Sequence, residues 1–287
     1  MSSRLRIAII THSIDAFQGS SYLLHRLCDV WQSRGIDIVV IKGSHQDLPD
    51  ADLAVLHTDI TAIGEDYGKI IDHYPMVING RVRDISKHVF SDLIVSRDSA
   101  YNGPVIVKTN ANFGGMRERR EKILSGDHQA SIGIQRPWRK VEWLEEYPTF
   151  NSLREVPQGV WRNDKLVVEK FLTEQNQSGE YLLKIWVFFG DQEIYYQSFS
   201  DEPIIKGHNT KRREFLDPSD LPESLRKTRK KLGFDFGKFD FSISDGEAVL
   251  YDSNRTPGSA RNATNRGEVT ERIRRLSTGL DYFTDQL

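Results

Sequence analysis

Cysteine is almost absent: Cys28 stands alone among 287 residues. No internal disulfide can form, and a reducing compartment, the cytoplasm, is the expected setting. No apolar run approaches the roughly 18 residues that a spanning helix needs, and the opening "MSSRLRIAIITHS" turns polar too quickly for an export signal. Charge of one sign is also missing. With 39 basic and 41 acidic residues, nothing draws the whole surface to nucleic acid or an anionic membrane, so neither is expected as a partner and any anion site must be local. Repeats, heptads and low-complexity tracts are lacking too, which argues against solenoids and coiled coils.

What is present is a chain long enough for more than one domain. "LRIAIIT" is a β-branched run, "SSYLLHRLCDVWQSRG" has helical spacing ended by Gly35, and "IDIVVIKG" is a second buried strand. With the apolar runs "ADLAVLHTD" and "YPMVING", residues up to about 80 read as a small α/β layer on a mostly parallel sheet with a right-handed crossover. "RVRDISKHVFSDL" is expected to be helical. "GPVIVKTNANFGG" is a strand carrying Lys108 into a Gly- and Asn-rich turn. Residues 116–150, charged and containing Trp138 and Trp143, show no strand pattern and read as a mobile flap. "KLVVEKFL", "EYLLKIWVFFGD" and "QEIYYQSFS" resume as strands, and "PESLRKTRKKLG" is a short basic helix.

The chemistry concentrates in "GFDFGKFDFSISDGEAVLYDSNRTPG". A two-residue Asp245-Gly246 turn would set Asp240 against Tyr251 and turn it away from Asp252. A three-residue Ser244-Asp245-Gly246 loop, with Gly246 left-handed, pairs Asp240 with Leu250 and gathers Asp240, Asp252 and Asn254 on one face. Two carboxylates and an amide, all oxygen donors, suit magnesium shared with substrate phosphates. Seen alone, the same residues also fit a solvated strand edge entering a turn.

The order "VIVKTNANFGG", "LVVEKFL", "GKFDFSISDGEAVLYDSNRTPG" resembles the ATP-grasp superfamily of carboxylate–amine ligases, in particular the group of glutathione synthetase and the ligases that modify ribosomal protein. The resemblance covers residues 80 to 265 and implies an α/β (α+β grasp) fold. A Rossmann-like layer over 1–80 would precede a two-lobed grasp over 81–287, with lobes of 81–171 and 172–287 and the flap at 116–150. It implies ATP and Mg2+, with Mn2+ as a substitute. Lys108 and, upstream, Lys87 would meet the phosphates. Asn112, Phe113, Gly114 and Gly115 would offer them backbone N–H groups. Lys170 and Leu172 would read adenine beside Glu169, and Glu174, rather than Glu180, would hold the ribose. Lys184 and Arg255 would act on the transferring phosphoryl or acyl group, with Lys206 as a further phosphate contact. Asp240, Asp252 and Asn254 would hold metal, while Ser259 and Arg261 would face the acceptor. The Arg212-Arg213 pair either binds a substrate carboxylate or is a solvated basic turn, the second being commoner.

The implied reaction joins a small-molecule carboxylate to an amine through an acylphosphate, releasing ADP and phosphate, with catalysis by positioning and charge neutralisation. Two other classes fit parts of the sequence. A nucleotide-sugar-dependent glycosyltransferase would need a second similar α/β domain, and a non-catalytic nucleotide binder would tolerate loss of one of the three metal ligands. The sequence is compatible with a homodimer without specifying one.

Overall fold

The computed structural model describes residues 4–44, 47–127, 130, 137–259 and 270–287. Four strands, β1 (Arg6–Thr11), β2 (Asp37–Lys42), β3 (Leu53–Leu56) and β4 (Val77–Ile78), form an all-parallel sheet in the order β2-β1-β3-β4. Helix α1 (Leu23–Ser33) crosses from β1 to β2 and stops before Gly35, whose φ of +90° no other residue adopts at ease. Helix α2 (Asp66–His73) lies between β3 and β4. The expected long helix over "RVRDISKHVFSDL" shrinks to α3 (Lys87–Phe90). The residues before it are held extended: Ile85 N–H donates to Thr61 O, and Asp84 Oδ1 accepts from Ser86 N–H. Backbone groups already bonded to other elements cannot also make a helix.

A three-stranded antiparallel sheet follows, β6-β5-β7, from β5 (Val105–Thr109), β6 (Thr149–Phe150) and β7 (Leu166–Lys170). The stretch read as a featureless flap therefore contributes helix α4 (Met116–Leu124) at its start and strand β6 at its end. Strands β8 (Glu174–Gln175), β9 (Tyr181–Phe189), β10 (Gln192–Ser200), β11 (Arg212–Leu216), β12 (Phe236–Ser244) and β13 (Glu247–Asn254) make the largest sheet. Its order is β11-β10-β9-β12-β13, with β8 on β9, and every pairing is antiparallel. That sheet does not repeat the N-terminal parallel layer, as the glycosyltransferase alternative would require. Arg212 and Arg213, expected in a turn, begin the edge strand β11.

The two faces of the large sheet divide the core. Trp186, Phe188, Phe239 and Phe241 pack under α5 (Glu223–Leu232), whose Leu225 is buried with them. Ile185, Val187 and Phe189 point the other way and meet Leu24, Leu27 and Trp31 of α1 together with Leu276 of α6 (Glu271–Ser277) and Leu280. Helix α7 (Asp281–Thr284) completes that core with Phe283. Among the described residues no helix is long and apolar enough to cross a membrane.

Candidate active site

The hairpin β12–β13 turns through two residues, Asp245 and Gly246, because Ser244 pairs with Glu247. Both turn residues have positive φ, +52° and +82°, the pattern of a type I′ turn. The three-residue loop read from the sequence is therefore corrected, and by parity alone Asp240 would face Tyr251. It does not, because the register shifts between Asp240 and Phe241, leaving Tyr251 as an extra residue on β13 and setting Asp240 directly opposite Asp252. A bulge restores the face that the turn would have lost. Tyr251 is fixed by its hydroxyl, which donates to Leu172 O at 2.6 Å and lies 2.5 Å from Ser242 Oγ.

Asp240 and Asp252 are each met by a lysine. Lys87 Nζ, from α3, stands 2.7 Å from Asp252 Oδ1, and Lys238 Nζ stands 2.7 Å from Asp240 Oδ2. Burial pushes the Lys87 ammonium down, but Asp252 and Glu169 more than offset it and leave it above the ordinary lysine value. Burial holds the Asp240 carboxyl above its usual range, partly opposed by Lys238, with Asp252 adding to the rise. Asp240 Oδ1 is buried without a hydrogen-bond partner. Asn254 sits opposite Lys238, yet its Oδ1 accepts from Thr256 N–H and from Thr256 Oγ1, so as placed it braces the turn into "TPG". Among the described residues no group of three His, Cys, Asp or Glu side chains is spaced to hold a metal. The donor set that does converge is two facing carboxylates with one free oxygen. It fits a hard cation that completes its shell with phosphate or water.

From the smaller sheet, Lys108 Nζ lies 2.8 Å from Glu169 Oε2, and Ser91 Oγ donates to Glu169 Oε1 at 2.5 Å. Glu169 is 0 % exposed, and its influence on Lys87 shows that the two lysine pairs share one space. Lys170 N–H donates to Leu93 O, and its ammonium lies 5.5 Å from the Tyr101 ring. Gly114 and Gly115 follow Asn112 and Phe113 in a tight turn, with φ of +66° and +74°. A Cβ on Gly114 would fall 2.1 Å from Leu144 O, and one on Gly115 would fall 2.7 Å from Glu142 O. The segment 142–147 is thus strapped over the turn, with Leu144 N–H donating to Gly114 O at 2.8 Å. Tyr147 ends the strap inside the cluster. Its phenol is raised by burial, lies close to Lys87, Asp252 and Glu169, and accepts a hydrogen bond from Gly114 N–H. Lys206 Nζ ties the strap to the large sheet by donating to Glu145 O at 3.0 Å.

Several expected residues, Lys184, Glu174, Arg255 and Ser259, are not brought to this cluster. Lys184 pairs with Phe241 on the face opposite Asp240 and is ion-paired to Glu174; Glu174 also accepts from Ile243 N–H at 2.8 Å. Arg255 is 0 % exposed, and its guanidinium donates to the carbonyls of Thr58, Ile60, Thr61 and Val82. With its donors engaged it is a structural clamp, which corrects its assignment to the transferring phosphoryl group. Ser259 binds Ser21 O through both N–H and Oγ, and Arg261 lies outside the described residues. Lys238, Ser91 and Tyr147 were missed by the sequence reading. Lys238 had a signal, since it shares strand parity with Asp240 in "GKFDF". Ser91 and Tyr147 had none, because only the tertiary fold places them.

No family model and no curated protein matches the sequence. Solved structures do match over nearly the whole chain. One, the ATP-grasp ligase PsnB complexed with a phosphomimetic variant of its minimal precursor, Mg and ADP, has a TM-score of 0.54 at 11% identity, covering 96% of this chain and 98% of that one. A second is the macrocyclase MdnC from Microcystis aeruginosa bound with precursor peptide MdnA, with a TM-score of 0.52, 10% identity and coverage of 98% and 100%. A third is a RimK domain ATP-grasp protein from Sphaerobacter thermophilus, at 0.51, 10%, 96% and 98%. Three sheets, the facing carboxylates and this shared topology lead to one structural conclusion: the chain has the ATP-grasp fold.

Proposed function

We propose that the protein is an ADP-forming, ATP-dependent carboxylate–amine ligase, with residues 1–80 as a layer preceding a grasp of two lobes. The carrying observation is the convergence of Lys87, Lys238, Asp240 and Asp252 from one side with Lys108 and Glu169 from the other. Three charged groups of each sign held within one partly buried space are poised to exchange partners. When polyphosphate enters, the lysines move from carboxylate to phosphate, and the carboxylates are released to a cation. Mg2+ bound by Asp240 and Asp252, with Asn254 if its amide leaves Thr256, would supply charge neutralisation at the phosphates. The reaction needs no protein nucleophile. A substrate carboxylate attacks the γ-phosphate, ADP leaves, and an amine then displaces phosphate from the acylphosphate. Lys87 and Lys108 offset the charge of bringing two anions together. The strap at 142–147 shields the space from water that would hydrolyse the activated acyl group. Because PsnB and MdnC were solved with precursor peptides, peptide substrates belong to this reading beside small molecules.

The test uses hydroxylamine, which intercepts an activated acyl group in place of the amine. Given ATP, Mg2+, hydroxylamine and a pool of carboxylates, the protein should release ADP and form a hydroxamate. Release of AMP would show an adenylate and sink the acylphosphate route. Asp252→Asn should abolish turnover while leaving the fold intact, and Asp240→Ala should remove the hydroxamate signal; full turnover in either refutes the metal assignment.

A further inference from the structure

The segment 93–95 runs along β7 on the side away from β5, with Val95 N–H donating to Val168 O at 2.9 Å and Lys170 N–H donating to Leu93 O. The pairing is brief, and beside it a cavity of about 400 Å3 opens between residues 94–97, the turn at 158–163 and the start of β7. Its wall is of two kinds. Val95, Val160, Leu166 and Val168 are buried core residues of the small sheet, and half-buried Trp161 packs against them. His88, Arg97 and Arg162 also line the cavity and are exposed, and no carboxylate lines it. Neither guanidinium has a hydrogen bond, ion pair or ring contact among the described residues. The turn that carries Trp161 and Arg162 is fixed from behind. Asn163, 8% exposed, donates through Nδ2 to Trp138 O and to Val141 O, both at 2.7 Å.

We propose that this cavity binds a small organic anion with an apolar body, at a site separate from the lysine–carboxylate cluster. Charge selects the anion: a cation would be repelled by Arg97 and Arg162, whereas a carboxylate or a phosphate finds two unengaged guanidinium forks. The apolar wall selects the body. A ring seated on Val160, Leu166 and Trp161 leaves water while its charged end stays at the arginines. Size sets the limit, since this volume lies near the low end of the roughly 300–1,000 Å3 of small-molecule sites. It suits a fused-ring acid. No charged residue of the cluster lines the cavity, and Glu169 turns to Lys108 on the face of β7 opposite Leu166 and Val168. The inference goes beyond the ligase reading and does not rest on it.

Ligand-detected NMR titrations on the full chain compare two anions, 2-naphthoate and 2-naphthyl phosphate, with the neutral 2-naphthamide. At least one anion should bind about tenfold more tightly than the amide, the worth of one charged contact at a partly exposed site. The tighter of the two identifies the anionic group. That preference should vanish in the double variant Arg97→Gln/Arg162→Gln, whose unfolding midpoint should stay unchanged because neither side chain is engaged. It should persist in Arg154→Gln, outside the cavity, and in the presence of ADP and Mg2+. Equal binding of the amide and both anions to the unmodified protein overturns the proposal without any variant. So does a preference that survives the double substitution, or displacement of the anion by ADP, which would place it in the nucleotide cluster instead.

Discussion

Each ionisable residue here is set by what burial leaves beside it. His57 is 0 % exposed, packed among Phe17, Tyr22 and Phe236, and neither ring nitrogen has a partner from another residue. Burial lowers it from 6.5 to about 3. The folded state therefore refuses a proton that the unfolded chain accepts between those values. Stability that is full above the unfolded value is lost as pH falls toward the folded one, at up to ~1.4 kcal/mol per pH unit. His57→Leu should flatten this loss by about that slope, read from urea melts at a series of pH values, because an apolar ring site has no hydrogen bond to lose. A parallel acid dependence in the variant would show that His57 is not the group responsible. The site residues divide in the same way. Asp240 and Asp252 could be picked out from strand position and charge type, while Lys87 and Lys108, singled out through the family resemblance, are met by Asp252 and Glu169. Arg255 could not be read correctly, since nothing local reveals that four carbonyls from residues 58–61 and 82 would enclose it.

At the level of elements, the strap and the hairpin show what a sequence pattern can miss. The alternation of "FDFSIS" and "EAVLYD" marks two strands, but the length of the turn between them is misread from it, and the bulge at Tyr251 depends on its hydroxyl donating to Leu172 O and accepting from Ser242 Oγ. Parity across a hairpin is thus settled by a contact some eighty residues away. The same holds for the "RVRDISKHVFSDL" stretch, whose helix-like spacing yields to backbone bonds with the first sheet. The strap at 142–147 depends on two glycines, both left-handed and both in contact with its carbonyls. Gly114→Ala must move Leu144 O and strain its own backbone, at a cost of about 1–3 kcal/mol. Amide exchange across residues 142–147 should accelerate relative to the rest of the protein. Unchanged protection there would mean that the strap is held by Lys206 and Tyr147 alone.

On the scale of the whole molecule, the sheets are joined by buried polar contacts as well as by apolar packing. Arg255 follows directly after β13 and grips the carbonyls that follow β3, so the N-terminal layer is locked to the β12–β13 hairpin. Arg255→Met should leave those carbonyls unsatisfied and lower stability by about 3 kcal/mol, measured by chemical denaturation. A loss within about 0.5 kcal/mol would show that the apolar contacts suffice. Helix α1 makes the complementary link, burying Leu24, Leu27 and Trp31 against Leu276, Leu280 and Phe283, with Trp31 Nε1 donating to Ser277 O at 2.9 Å. This pairing imposes an order on synthesis. The first helix leaves the ribosome more than two hundred residues before the segment that covers it, and at ~5–20 residues per second its tryptophan face stays bare for ten seconds or more. Helix α1 is therefore made long before it can finish folding, and a nascent chain halted before residue 270 would present that face to chaperones.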